Sequence, residues 1–245
     1  MDSAPSRLIT ERLLAALASR DLRRIEAALS PECSWRNVPH PAAEGRDAVL
    51  ALLSPIVTWS DRVQWDVLSA AYDETTAWLE RADRFWIDGS EHTVLCTGVF
   101  EVDVDTGTVR SVRDYVDLGE WRGRVGPALD AMTRRSPDAV VDRHLAAVVA
   151  RDPVAMAADY APDAVLRRGA DEHRGWRAIA DYFDTVPARL DGLRFSLERS
   201  SGDPAAVYWE LTDDTGTVVA RGTDRYRIAE GRITEQTVDL DTSDF

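Results

Sequence analysis

The chain has 245 residues and a formal net charge of −14, with 43 acidic residues against 29 lysines and arginines. That excess argues against a surface built for nucleic acid or for an anionic membrane, since both require basic patches. A hydrophobic content of 44% supplies a sizeable core, and the length fits one large domain or two ordinary ones.

Residues 5–29 show helical periodicity. Leu8, Leu13, Leu14 and Leu17, then Leu22, Ile25 and Leu29, recur at three- and four-residue steps. Ser19-Arg20-Asp21 predicts a break, with Asp21 placed to cap a second helix that Pro31 ends. Cys33 to Asn37 reads as a short strand. Pro39, Pro41 and Gly45 mark a loop, and Asp47 to Val57 reads as a third helix. Four strand-like runs follow, at roughly 62–72, 75–88, 91–104 and 108–120, with Asp105-Thr106-Gly107 as the hairpin turn between the last two. Helices followed by an antiparallel meander predict an α+β fold.

The pattern then repeats. Ala15-Ala16-Leu17-Ala18-Ser19-Arg20-Asp21 returns as Ala146-Ala147-Val148-Val149-Ala150-Arg151-Asp152, and Pro31 as Pro162, both 131 positions on. Gly45 followed by a helix returns as Gly175 followed by Trp176 to Val186. The closing Val116-Asp117-Leu118 returns as Val238-Asp239-Leu240, now 122 positions on, so the second copy has shorter strands or turns. This predicts two tandem copies of one unit: a domain over 1–122, a linker over 123–136 containing Gly123, Gly126 and Pro127, and a domain over 137–245.

Two strands of the first copy carry charge on an apolar face. A strand has a side-chain period of two, so Leu79, Arg81, Asp83 and Phe85 share one face, and Val112, Asp114, Val116 and Leu118 share another. Buried charges are costly unless paired. If the two strands border one cavity, Arg81 can bridge Asp83 and Asp114, an arrangement suited to acid–base chemistry. A structural salt bridge is the alternative reading of the same spacing.

Trp35-Arg36-Asn37-Val38-Pro39, Gly45-Arg46-Asp47-Ala48-Val49, Glu80-Arg81-Ala82-Asp83 and Arg113-Asp114-Tyr115-Val116-Asp117-Leu118 resemble, in order and approximate spacing, motifs of the limonene-1,2-epoxide hydrolase family. The resemblance covers roughly residues 10 to 122. It implies a cone-shaped α+β barrel, a curved and mostly antiparallel sheet closed by N-terminal helices, shared with ketosteroid isomerases and SnoaL-type polyketide cyclases. It also implies one-step chemistry without metal, cofactor or covalent intermediate. Carried over, Asp114 is the base that deprotonates water, Asp83 the acid that protonates the epoxide oxygen, Arg81 the cation holding both, and Asn37 a water-positioning residue. Where the family has a water-binding tyrosine beside that asparagine, this chain has Trp35. An indole donates a hydrogen bond but accepts none, so water is placed differently or the larger ring reshapes the pocket. Trp35 and Trp65, with Leu79, Phe85, Val112 and Val116, are the candidates for touching substrate and water. Six of the eight tryptophans lie in the first copy, and an aromatic-walled cavity suits a small apolar epoxide.

The second copy lacks the charged set. Aligning 207–213 with the first copy places Leu211 at Arg81, Asp213 at Asp83, Gln236 at Asp114 and Arg168 near Asn37. Its expected role is structural, as the partner in an intramolecular pseudo-dimer that could associate further. Asp171, Glu172, Tyr208, Glu210, Arg225 and Glu235 are candidates should its own cavity bind something. His40, His92, His144 and His173 show no metal-ligand spacing and read as surface or loop residues. Neither a phosphate-binding loop nor a Gly-x-Ser-x-Gly elbow occurs. Cys33 and Cys96 read as buried free thiols of a reducing compartment. No basic region precedes an apolar run at the N-terminus and no membrane-length apolar run occurs, so a cytoplasmic location is expected.

Three functions fit this reading. The first is an epoxide hydrolase acting on an apolar epoxide and water. The second is an epoxide-opening cyclase of polyether or polyketide biosynthesis, in which an internal hydroxyl replaces water. The third is a non-catalytic small-molecule-binding or dimerisation module. Labelled oxygen from water separates the first two; carboxylates turned to solvent, with no cavity, would mark the third.

Overall fold

The computed structural model describes residues 4–200 and 206–241. Backbone contacts divide the chain into two compact units, Met1–Ala131 and Met132–Phe245.

In the first unit, α1 (Pro5–Ser19) and α2 (Leu22–Ala28) are separated where expected, and the Asp21 carboxylate accepts the Arg23 N–H at 2.9 Å, capping α2. Leu13, Leu17 and Ile25 have no exposed surface. Burying a leucine or isoleucine side chain contributes about 1.5–3 kcal/mol. The chain turns extended at Leu29, before Pro31: β1 (Leu29–Asn37) runs through that proline. After β2 (Ala43–Glu44), α3 (Arg46–Trp59) leads into β3 (Arg62–Tyr72), β4 (Thr76–Ile87), β5 (Ser90–Asp103) and β6 (Thr108–Val116). At the β5–β6 turn the Asp103 carboxylate takes the N–H groups of Asp105 and Thr106, and Gly107 supplies the positive φ of 65°.

The six strands form one mixed sheet in the order β2-β1-β6-β5-β4-β3, with β1 parallel to β6 and every other pair antiparallel. The α+β class stands, but the sheet does not close into a barrel: β2 and β3 are free edges, and α1 and α3 pack against the sheet instead. The stretch 123–136 is largely helical, holding the end of α4 (Leu118–Arg124) and all of α5 (Gly126–Thr133). The Asp117 carboxylate caps α4 by accepting the Gly119 N–H at 2.7 Å and that of Glu120 at 3.2 Å.

The second unit repeats the plan with α6 (Pro137–Ala150), α7 (Pro153–Ala158), β7 (Tyr160–Arg168), β8 (Asp171–Arg174), α8 (Gly175–Arg189), β9 (Arg194–Ser200), β10 (Ala206–Thr212), β11 (Val218–Ala229) and β12 (Arg232–Leu240). Its sheet order, β8-β7-β12-β11-β10-β9, is the same order again.

The register irregularities repeat as well. Leu29 pairs with Val109 and Ser34 with Ser111; Tyr160 pairs with Ile233 and Val165 with Glu235. These anchors correct the alignment read from sequence by two residues. Asp114 faces Gly98 on β5 as Val238 faces Asp224 on β11, and Arg81 faces Cys96 as Trp209 faces Gly222. Hence Trp209 stands where Arg81 does, Leu211 where Asp83 does, Val238 where Asp114 does, and Gln236 where Val112 does. Arg168 holds the place of Asn37, as read from sequence. Asp213 lies past the end of β10, where its carboxylate accepts the Thr215 and Thr217 N–H groups of a turn.

Candidate active site

Period-two alternation brings Leu79, Arg81, Asp83 and Phe85 to the covered face of β4, with Arg81 at 0% and Asp83 at 5% exposure. Val112 and Asp114 reach the same side from β6, and Trp35 and Asn37 from β1. Arg81 Nε donates to Asp83 Oδ1 at 2.8 Å and Nη2 to Asp114 Oδ1 at 2.7 Å. The guanidinium lies over the Trp65 ring at 4.5 Å and the Phe100 ring at 5.3 Å, and Nη2 reaches Cys96 Sγ at 3.4 Å.

Gly98 makes this crossing possible. A Cβ there would stand 2.2 Å from Arg81 Nη1 and 2.7 Å from Asp114 Oδ1. The sequence reading missed Gly98, because its importance comes from a neighbouring strand.

Burial pushes Asp83 up to about 6; the Arg81 charge and hydrogen bond oppose that rise and Asp114 adds to it. Burial works to discharge Arg81, but Asp114 and Asp83 outweigh it and raise its pKa, so the cation persists. Burial pushes the Cys96 thiol up, with Asp114 adding to the effect, which keeps it protonated. Trp35 Nε1 donates to Asp114 Oδ2 at 3.2 Å, so the indole binds the carboxylate itself. Asn37 pairs in register with Asp114, and among the described residues its amide has no hydrogen-bond partner.

The two carboxylates of the bridge face a cavity of about 790 Å³, solvent at its mouth included, with Arg81 buried behind them. Trp35, Asn37, Trp65, Asp83, Phe85, Cys96, Asp114 and Val116 line it from the sheet, and Leu52, Leu53, Pro55 and Ile56 from α3. Trp35, Trp65, Phe85 and Trp121 meet edge to face in succession, at ring separations of 6.3, 6.4 and 5.9 Å. Leu79 and Val112, read as substrate contacts, are buried behind this wall and do not line it. Trp121 and Leu129, from α4 and α5, do line it. Their signal was the four-residue spacing Trp121, Val125, Leu129, which Gly123, Gly126 and Pro127 obscured.

In the second unit the six candidate polar residues do not converge. Glu172 and Glu235 pair with Arg167, Tyr208 donates to Glu210, and Arg225 pairs with Asp239. Asp171 stands exposed at the rim of a cleft. His144, read as a surface residue, is 1% exposed and packs between Tyr160, Phe183 and Tyr226, where burial lowers its pKa and leaves it neutral. Among the described residues no three His, Cys, Asp or Glu side chains are grouped to hold a metal ion, and no helix is long and apolar enough to cross a membrane.

A sheet and helices enclosing an apolar cavity, with paired ionisable groups at its floor, define a small-molecule site of the acid–base type. Residues 4–121 match the model of the limonene-1,2-epoxide hydrolase catalytic domain, and residues 141–236 that of the SnoaL-like domain. The chain is a tandem of a limonene-1,2-epoxide hydrolase-like domain and a SnoaL-like domain.

A steroid Δ-isomerase of Nocardioides simplex is 36% identical over 80 residues, covering 32% of this chain and 65% of the isomerase. Among solved structures, an epoxide hydrolase of M. tuberculosis described as LEH-like is 24% identical, with a TM-score of 0.42, covering 54% of this chain and 97% of its own. An epoxide hydrolase/cyclase-like enzyme described in pyran ring formation in the polyether salinomycin is 17% identical, with a TM-score of 0.41, covering 47% of this chain and 92% of its own.

Proposed function

We propose that the first domain opens an apolar epoxide with water in one step, giving a vicinal diol. Asp114 takes a proton from water as the water oxygen bonds to carbon. The carbon–oxygen bond of the ring breaks, and Asp83 delivers its proton to the departing oxygen. The proton gained by Asp114 then replaces the one lost by Asp83, restoring the site. Arg81 holds both carboxylates, and the Asn37 amide orients the water. The carrying observation is the buried Asp83–Arg81–Asp114 bridge on the floor of an aromatic cavity. Its chemistry fits: the carboxyl raised to about 6 suits a donor, and each positioned proton transfer is worth roughly 10²–10⁴ in rate.

One observation favours a second reading. Trp35 stands where the family has a water-binding tyrosine, and its indole, already donating to Asp114 Oδ2, has no acceptor with which to hold water. An internal hydroxyl of the substrate would then be the nucleophile, and the product a cyclic ether.

Turnover of cyclic terpene oxides and styrene oxide in ¹⁸O-labelled water, with Asp114→Asn as control, tests the proposal. Labelled diol that disappears in the variant supports hydrolysis at this site. Labelled diol that persists in the variant, or no diol from a folded protein, counts against it, and unlabelled cyclic ether from a hydroxy-epoxide establishes the second reading.

A further inference from the structure

The cavity of the first domain differs at its two ends. At the Asp114 end stands Trp35, whose indole N–H is bonded to the carboxylate. At the Asp83 end Phe85 follows two positions along the same face of β4, about 7 Å away. Trp121 meets Phe85 there edge to face, with ring centroids 5.9 Å apart and planes at 80°. Leu52, Leu53, Pro55, Ile56 and Leu129 are the other side chains that α3, α4 and α5 bring to the cavity, so among the described residues Trp121 is the one ring offered by the helices.

The backbone holds Trp121 in this place. Asp117 caps α4, and a ladder of four-residue steps follows: Trp121 N–H to Asp117 O at 3.0 Å, Val125 N–H to Trp121 O at 2.9 Å, Leu129 N–H to Val125 O at 3.1 Å. One face therefore runs unbroken through Trp121, Val125 and Leu129 across the join of α4 and α5. Val125 has no exposed surface, and Arg124 Nη1 donates to Thr93 O on β5 at 3.4 Å. Trp121 is itself partly exposed and lines the cavity, so it stands between that space and solvent.

In the proposed epoxide opening, water bonds to one carbon of the ring on the Asp114 side. The other carbon keeps the oxygen that Asp83 protonates. A substituent on that second carbon is carried to the Asp83 side, toward Phe85 and Trp121. Packed walls reject added bulk, and an apolar pocket discriminates about 10–200-fold for each methylene group.

We propose that Trp121 determines specificity at this site, which rests on the hydrolytic reading of it: the indole limits the size of the group on the carbon that keeps the oxygen. The substrate class is an epoxide with its apolar body on the attacked carbon and a small group or hydrogen on the other. Trp121 takes no part in proton transfer.

Two pairs of compounds, each differing by one phenyl group, test this on the full chain. Wild type should favour styrene oxide over trans-stilbene oxide at least about tenfold in kcat/KM. Trp121→Ala should narrow that preference at least about tenfold, mainly through KM, and Trp121→Phe, which keeps a ring against Phe85, severalfold. Calorimetric titration with 1-phenylethanol and 1,2-diphenylethanol reads the same limit without turnover. Trp121→Ala should tighten 1,2-diphenylethanol relative to 1-phenylethanol about tenfold. That shift without turnover of either epoxide would remove hydrolysis and keep Trp121 as the size limit. Turnover with both ratios unchanged in the folded Trp121→Ala and Trp121→Phe variants would keep hydrolysis and overturn the role of Trp121. Equal kcat/KM for the two epoxides in wild type would overturn it as well.

Discussion

Arg81 Nη2 lies 2.7 Å from Asp114 Oδ1 although the two residues stand on strands that are not neighbours. β5 runs between β4 and β6, and adjacent strands are about 4.8 Å apart, so the side chain must cross a whole strand. It crosses where Gly98 leaves the face of β5 bare. The salt bridge is thus a product of three strands, and each can be tested separately.

Gly98→Ala places a methyl in the path of the guanidinium. The chain should still fold, with a loss of about 1–3 kcal/mol from overpacking. Turnover should fall at least about 10²-fold, because small misplacements of reacting groups are costly. Urea unfolding and epoxide turnover, measured on the same preparation, check both; wild-type turnover in this variant would contradict the assigned geometry.

Arg81→Met keeps the bulk and removes the charge, leaving two buried carboxylates without their cation. At pH 7 the expected loss is about 3–5 kcal/mol. The loss should shrink at pH 5, where a proton can take the place of the guanidinium. Equal destabilisation at both pH values, read from urea midpoints, would contradict this.

The raised Asp83 carboxyl sets a pH dependence. Its folded value of about 6 lies above the roughly 3.9 of an unfolded aspartate, so the folded state holds the proton more tightly. The stability this contributes is complete below about pH 4 and is lost as pH rises through about 6. Wild type should therefore lose stability relative to Asp83→Asn across that window. In its proposed role as proton donor, Asp83 should also give kcat/KM a descending limb near pH 6. A rate that stays flat from pH 5 to 8 would remove Asp83 from the donor role.

Trp35 bears on the proposed nucleophile through its hydrogen bond to Asp114. Trp35→Phe removes the N–H from Asp114 Oδ2 and should lower turnover about tenfold by loosening the carboxylate. Trp35→Tyr brings a hydroxyl that both donates and accepts, and should raise the share of ¹⁸O-labelled diol over cyclic ether from a hydroxy-epoxide. Product analysis by mass spectrometry reads the ratio directly.

The sequence by itself determined what is local or periodic. Alternation along 79–85 and 112–118 placed Arg81, Asp83 and Asp114 inward, Asp21 announced its helix cap, and the repeated Ala-rich helix with Pro31 and Pro162 revealed the tandem. Tertiary structure alone decided what depends on the lateral stacking of strands. The open edges of each sheet, the space at Gly98, the Trp35 bond to Asp114 and the closure of the cavity by Trp121 and Leu129 all join residues distant in sequence. The two-residue correction in the second domain has the same origin. The likeness of Val116-Asp117-Leu118 to Val238-Asp239-Leu240 aligned the copies by local sequence, whereas strand pairing sets Val238 opposite Arg168 as Asp114 stands opposite Asn37, so Trp209 rather than Leu211 stands where Arg81 does, and Asp224 rather than Asp213 lines the cavity of the second domain.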